Sequence, residues 1–263
     1  MKAATALPLS GYKMTLKLKK LVLTRFKTLD LLKKIATTPD NIKLTLYFPP
    51  HLNPQELKDT LKEIPAPFEI TTKLSQIITS SPNGAVVFWG ENQKYLVIPP
   101  FLVIKKNIFH SLEIAKLLSL LEQDYCIGII MVRLGSYAIG FCRGDKLVSS
   151  KVGTGLIHGR HRQGGSSAHR FERHRDKQIE SFLLRVCGHV RERLEPQIKS
   201  LDYIVYGGAR TTILMLQKYC PLLGNLDKPT LPPLLNIPEP RQVVLESAVS
   251  RIWSSTIYSW TED

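Results

Sequence analysis

The chain has 263 residues, 43% hydrophobic and 22% charged, a balance that excludes disorder along its whole length and fits one large domain or two ordinary ones. No stretch approaches about 18 uninterrupted apolar residues, which excludes a membrane-spanning helix, and the alternation of leucine with lysine over 16–20 does not read as a secretory signal. Lys and Arg number 36 against 22 Asp and Glu, a formal charge of +14, and a chain this basic is expected to meet a polyanion, nucleic acid first. In chain order, Lys13, Lys17, Lys19 and Lys20 form a basic cluster that suits either an RNA contact or the solvated face of a strand. Residues 44–48 are a short β-rich run halted by Pro49 and Pro50. Asn53 is a helix cap with Pro54 at the first helical position, opening a helix through Lys62. Residues 84–89 and 95–98 read as a hairpin, and 111–122 as a helix that carries apolar Leu112, Ala115, Leu118 and Leu121 and marks the junction.

From Tyr125 the pattern changes. Runs at 126–134, 137–143 and 146–152, separated by Gly135-Ser136 and Gly144-Asp145, predict an antiparallel meander. Apolar residues at Ile179, Phe182, Leu183, Val186, Val190 and Leu194 predict a long helix over 170–195, ended by Pro196. A strand is expected at 201–206, a turn at Gly207-Gly208, a helix at 211–219, a proline-rich connection over 221–240 and a last amphipathic helix over 246–258. The fold class is therefore α/β (α+β). Residues 1–120 are expected to form an N-terminal α/β module, and 121–263 a second unit built on a mixed sheet with flanking helices. Trp253 and Trp260 suit either a stacking platform for RNA or core and docking contacts, and core or docking contacts are expected, above all for Trp253. The cysteines, Cys126, Cys142, Cys187 and Cys220, form no CxxC pair and are expected to be buried free thiols in a reducing cytoplasm.

Between the meander and the long helix lies a polar, basic stretch over 158–170. Four of the seven histidines (His158, His161, His169, His174) fall between 158 and 174, among Arg160, Arg162, Arg170, Arg173 and Arg175. Five arginines would repel a divalent cation, so no metal is expected, and no cofactor. Arginine forks and the backbone freedom of Gly164-Gly165 suit phosphate instead. No Gly-Lys-Ser/Thr follows, so this is not an NTPase phosphate loop. The carboxylates Glu172, Asp176 and Glu180 are expected to pair with neighbouring basic side chains rather than act as acid and base. A protruding basic Gly-Gly loop on a basic helix is expected to probe RNA.

Gly164-Gly165-Ser166-Ser167-Ala168-His169-Arg170-Phe171-Glu172-Arg173 resembles the Gly-Gly-Gln-Ser-Ala-x-Arg-Phe-x-Arg signature of archaeal and eukaryotic class I peptide-chain release factors. In layout the chain is closer to their relatives in ribosome quality control, the Vms-type peptidyl-tRNA hydrolases, in the bacterial branch. The resemblance covers about 125–219. It implies a tRNA-mimicking monomer of the cytoplasm that enters the large ribosomal subunit, contacts rRNA and the CCA end of peptidyl-tRNA, and hydrolyses the peptidyl ester. Catalysis would fall to Gly164, Gly165, Ser166 and Ser167, and RNA binding to Arg160, His161, Arg162, Gln163, His169, Arg170, Arg173 and Arg175. The family's glutamine is replaced by Ser166 or by Ala168, depending on which relatives set the alignment, and Gln163 lies on the wrong side of the glycines. Three outcomes stay open: retained hydrolysis through backbone groups, a non-catalytic rescue factor, and cleavage of the tRNA backbone near CCA.

Overall fold

The computed structural model describes residues 16–159 and 166–262. In chain order they run β1 (Leu16–Leu23), α1 (Arg25–Ala36), β2 (Ile42–Phe48), α2 (Pro54–Leu61), α3 (Phe68–Ser80), β3 (Ala85–Gly90), β4 (Lys94–Ile98), β5 (Asn107–Phe109) and α4 (Ala115–Glu122). There follow β6 (Cys126–Arg133), β7 (Ser136–Arg143), β8 (Lys146–Thr154), α5 (Ser166–Leu194), β9 (Tyr203–Gly208), α6 (Arg210–Tyr219), α7 (Pro221–Gly224), α8 (Gln242–Ile252) and β10 (Ser255–Glu262). Two sheets result, ordered β1-β10-β4-β3-β2-β5 and β8-β7-β6-β9. The first is antiparallel throughout; the second is mixed, with β9 parallel to β6.

Each sheet is covered on both faces. In the first, Leu44, Leu46, Phe48, Val87 and Trp89 pack with Leu57 and Leu61 of α2 and Leu74, Ile77 and Ile78 of α3. The alternate residues Tyr47, Val86, Phe88 and Val97 meet Leu32 and Ile35 of α1 and Leu117 and Leu121 of α4. In the second sheet, Ile130, Val132, Ile139 and Phe141 pack under α5 and α6, while Ile127, Ile129, Met131 and Ala138 face α8. A strand buried on both faces reads as an unbroken apolar run, as Cys126–Val132 does. The Asn53 side chain caps α2 by accepting from Gln55 N at 2.8 Å, as its sequence predicts. The turn at Gly208 (φ 118°) requires glycine, because a Cβ there would lie 2.1 Å from the Val132 carbonyl oxygen.

The last helix differs from expectation. α8 stops at Ile252, and Ser255–Glu262 forms a strand between β1 and β4. Val249, Trp253 and Ile257 have helical spacing, but Ile257 and Trp260 also suit a strand buried on both sides, and the non-local pairing with β1 and β4 decides. The strands β1–β5 thus belong to the first sheet and β6–β9 to the second, and after Ile252 the chain returns to the first. β1 is a strand, with Lys17, Lys19 and Lys20 exposed on it, which fits either role open to the lysine cluster. The long helix begins at Ser166, four residues before the expected Arg170, and α4 begins at Ala115 rather than Ser111.

Arg25 ties the sheets together. Its Nε donates to Leu121 O at 2.8 Å, its Nη2 to Glu122 O and to Asp124 Oδ1, and its guanidinium lies 4.2 Å over the Trp253 ring. Trp253 Nε1 in turn donates to Gly144 O at 2.8 Å. Phe101 buries in the core of the second sheet against Tyr125 and Trp253, at centroid distances of 4.4 and 4.7 Å. All four cysteines are buried and free. Among the described residues no helix is long and apolar enough to cross a membrane.

Candidate functional site

The site grows from the path of the chain between β8 and α5. After Thr154 the backbone passes directly over α5 at Gly155, where a Cβ would lie 2.3 Å from Arg185 Nη2 and 2.7 Å from Phe182 Cδ2. Ile157 packs against the core beneath. His158 is then held through both of its backbone groups. Its N–H donates to Gln178 Oε1 at 3.1 Å, and its carbonyl accepts from Arg175 Nε at 3.0 Å. Its ring stands 6.1 Å from that of His174. Two side chains on adjacent turns of α5 thus clamp the incoming arm of the connection. A Cβ on Gly159 would meet nothing within 4 Å. The chain is next described at Ser166, the first residue of α5.

α5 changes character along its length. From His169 to Gln178 no residue is buried, and the first that is, Ile179, begins the half that packs on the sheet. Thirteen residues from Ser166 to Gln178, at 1.5 Å each, make a stalk of about 20 Å. Arg170, Arg173, His174 and Lys177 share one face by their spacing of three and four. Arg173 Nε donates to His169 O at 3.3 Å, and His169 Nδ1 lies 3.9 Å from Glu172 Oε2. Beside the clamp, Leu156, His174, Lys177, Gln178, Phe182 and Arg185 line a shallow hollow. The first turn of α5 contains no acidic residue, so the positive end of the helix dipole there is uncompensated.

The sequence-predicted residues divide into three groups. Arg160, His161, Arg162, Gln163, Gly164 and Gly165 lie outside the described residues. Ser166 and Ser167 are the first two residues of α5, and their backbone alone is described. His169, Arg170 and Arg173 are exposed on the stalk, whereas Arg175 is half-buried with its Nε engaged by His158. Sequence reasoning missed Gln178, because a single glutamine on a polar helix face carries no signal, and it missed that His158 acts through its backbone. Deeper along α5, Tyr137 stacks on His189 at 5.5 Å, and burial pushes its phenol pKa up. His189 Nδ1 stands 3.0 Å from Glu192 Oε2, a contact that lowers the Glu192 pKa. Among the described residues no three His, Cys, Asp or Glu side chains gather as a metal-holding group.

Residues 126–258 match the family described as the Actinobacteria/Chloroflexi VLRF1 release factor. Peptide chain release factor subunit 1 of Aeropyrum pernix is 26% identical over 212 residues, which is 67% of this chain and 55% of that protein. The same protein of Archaeoglobus fulgidus is 26% identical over 196 residues, 64% of this chain and 48% of its own length. The chain therefore spans about half the length of these curated relatives. A crystal structure of the archaeal translation termination factor aRF1 aligns with 87% of this chain and 73% of that one, at 18% identity and a TM-score of 0.36. The family match covers both the meander and the stalk and runs on into β10, and on that ground the chain belongs to the VLRF1 release-factor family of Actinobacteria and Chloroflexi.

Proposed function

We propose that this protein is a ribosome-associated hydrolase of the Vms-type rescue branch, acting in the cytoplasm as a monomer on peptidyl-tRNA held by stalled large ribosomal subunits. The observation that carries the reading is the stalk: a helix of about 20 Å in which no residue from His169 to Gln178 is buried, bearing Arg170, Arg173 and Lys177, and joined through the Gly164-Gly165 stretch to a clamped His158. In this reading the basic side chains hold rRNA and the tRNA phosphates near the CCA end, which brings the glycines to the ester. Water attacks the ester carbonyl. The bond to the terminal ribose oxygen breaks, that oxygen takes a proton, and the products are free peptide and deacylated tRNA. Backbone N–H groups at Gly164, Gly165 and the start of α5, together with the positive end of the helix, stabilise the oxyanion. The hydroxyls of Ser166 and Ser167 order the water in place of the family's glutamine amide. The missing glutamine favours a second reading, a rescue factor that binds the same complex without cleaving the ester.

The test is to incubate the protein with large subunits carrying peptidyl-tRNA and to resolve the products on a gel. Deacylated tRNA with an intact CCA end is expected from the wild type. Gly165→Val should cut release by at least about 10²-fold, the scale of losing an oxyanion donor, while subunit binding persists. Intact peptidyl-tRNA with bound protein selects the second reading, and tRNA lacking its terminal nucleotides replaces ester hydrolysis with backbone cleavage.

A further inference from the structure

The stalk is one of two concentrations of positive charge. Residues 158–177 hold six Lys and Arg against two acidic residues, while residues 16–43, at the far side of the sequence, hold eight against two. These 48 residues carry ten of the fourteen net positive charges of the chain. The second concentration has a definite placement. Lys17 and Lys19 share a face of β1 with Leu21 and Leu23, because side chains alternate along a strand. Leu23 packs against the cluster that holds Leu32 and Ile35 of α1, so both lysines lie on the side of the sheet that α1 covers. On that face Lys19 stands opposite Ser259 of β10, which stands opposite the half-buried Tyr95 of β4.

α1 adds to the same edge. It buries Thr28, Leu32 and Ile35 and sends Arg25 to the C-terminal end of α4. Lys27 and Lys34 lie about 180–200° round the helix from Arg25 and so occupy the flank turned away from α4. α4 sits toward the β5 edge, where Lys116 bonds Asn107 at 3.1 Å and lies 5.0 Å over the Phe109 ring. β1 is the opposite edge of the sheet, and the Lys27–Lys34 flank is the one nearest it. Lys17, Lys19 and Lys27 are exposed and make no ion pair among the described residues; Lys34 pairs with Asp30 at 2.8 Å, both exposed.

Lysine on an edge strand also deters strand-to-strand aggregation. That role accounts for Lys17 and Lys19 but not for a helix flank that adds like charge beside them, where mutual repulsion works against the fold. We propose that this ledge of Lys17, Lys19, Lys27 and Lys34 is a second RNA-binding surface, which takes a phosphate backbone without reading sequence. Lysines are compact point charges suited to phosphates in varied positions, whereas the stalk uses arginine forks. The Arg25 junction holds α1 against the second sheet, so ledge and stalk are presented in a fixed relation to one large RNA, and two linked contacts multiply their affinities.

The ledge stands apart from the hydrolase reading, and its test separates the two. The probe is a plain RNA duplex of mixed sequence, its binding to the full chain followed by fluorescence anisotropy across a salt titration. Replacing Lys17, Lys19 and Lys27 together with Gln should lower the slope of log K against log[salt] by about 2 to 3, with circular dichroism and Tm unchanged, and Arg at the same positions should restore it. An unchanged slope with the Gln variant overturns the ledge. So does binding to phosphatidylserine vesicles by a wild-type protein that ignores the duplex. Failure of peptidyl-tRNA release with the slope effect intact sinks the hydrolase reading and leaves the ledge standing.

Discussion

The two halves of α5 are one continuous helix under two different physical regimes. From Ile179 to Leu194 the side chains of Ile179, Phe182, Leu183, Val186, Cys187, Val190 and Leu194 are each 7% exposed or less. From His169 to Gln178 none is buried. Extending a helix that already exists adds one hydrogen bond per residue fixed, whereas starting one is costly, so the packed half nucleates the exposed half. The outer half is thereby freed from core packing, and its side chains answer to whatever they touch outside the molecule.

The largest expected effect breaks the packed half. Phe182→Ala should lower the free energy of unfolding by about 3–5 kcal/mol in urea titrations, because it removes a ring enclosed by Tyr137, Gly155 and the sheet. Arg170→Ala should change it by no more than about 0.5 kcal/mol. Equal losses at the two positions would mean that the stalk is packed in solution.

An intermediate effect lies at the clamp. Arg175→Ala and Gln178→Ala each remove one hydrogen bond to His158, worth about 0.5–1.5 kcal/mol. The loss should be local. Hydrogen exchange of the His158 amide should accelerate in Gln178→Ala, while amides of the packed half keep their protection. Uniform acceleration along α5 would make the clamp a support of the whole helix rather than of the connection alone.

The meander, the packed half of α5 and the β9–α6 turn were legible because each has its own period and its own turn residues. Gly207-Gly208 marked a turn that only glycine can make, and the apolar spacing from Ile179 to Leu194 matched the buried face. β10 was not legible, since Val249, Trp253 and Ile257 satisfy a helical period and the strand depends on partners more than 150 residues away. α1 and α3 carried no signal strong enough to be read from local pattern. Arg25 was equally silent, its partners lying 96–99 residues on. In the site, Arg170 and Arg173 were found through a motif. Gln178 was not, because its role is a backbone contact across 20 residues.

The smallest effect concerns pH and again divides core from stalk. Burial pushes the Cys142 thiol from its ordinary value near 9 up to about 12, and Cys220, beside Cys187 of the packed half of α5, likewise to about 12. In both cases the folded protein favours the neutral thiol. The native state therefore holds its protons more tightly than the unfolded chain between the two values, and stability falls as pH rises through that window. Below the ordinary thiol value both states are protonated and the contribution is complete. Tm should accordingly be insensitive to these groups up to about pH 8 and decline from about pH 9 toward 12, with Cys142 accounting for about 1 kcal/mol at pH 10. Cys142→Ala should flatten the early part of that decline. Arg175→Ala should leave the decline as steep as in the wild type, because the clamp touches neither thiol. A decline that Cys142→Ala leaves untouched would show that alkaline loss of stability begins elsewhere than in this core.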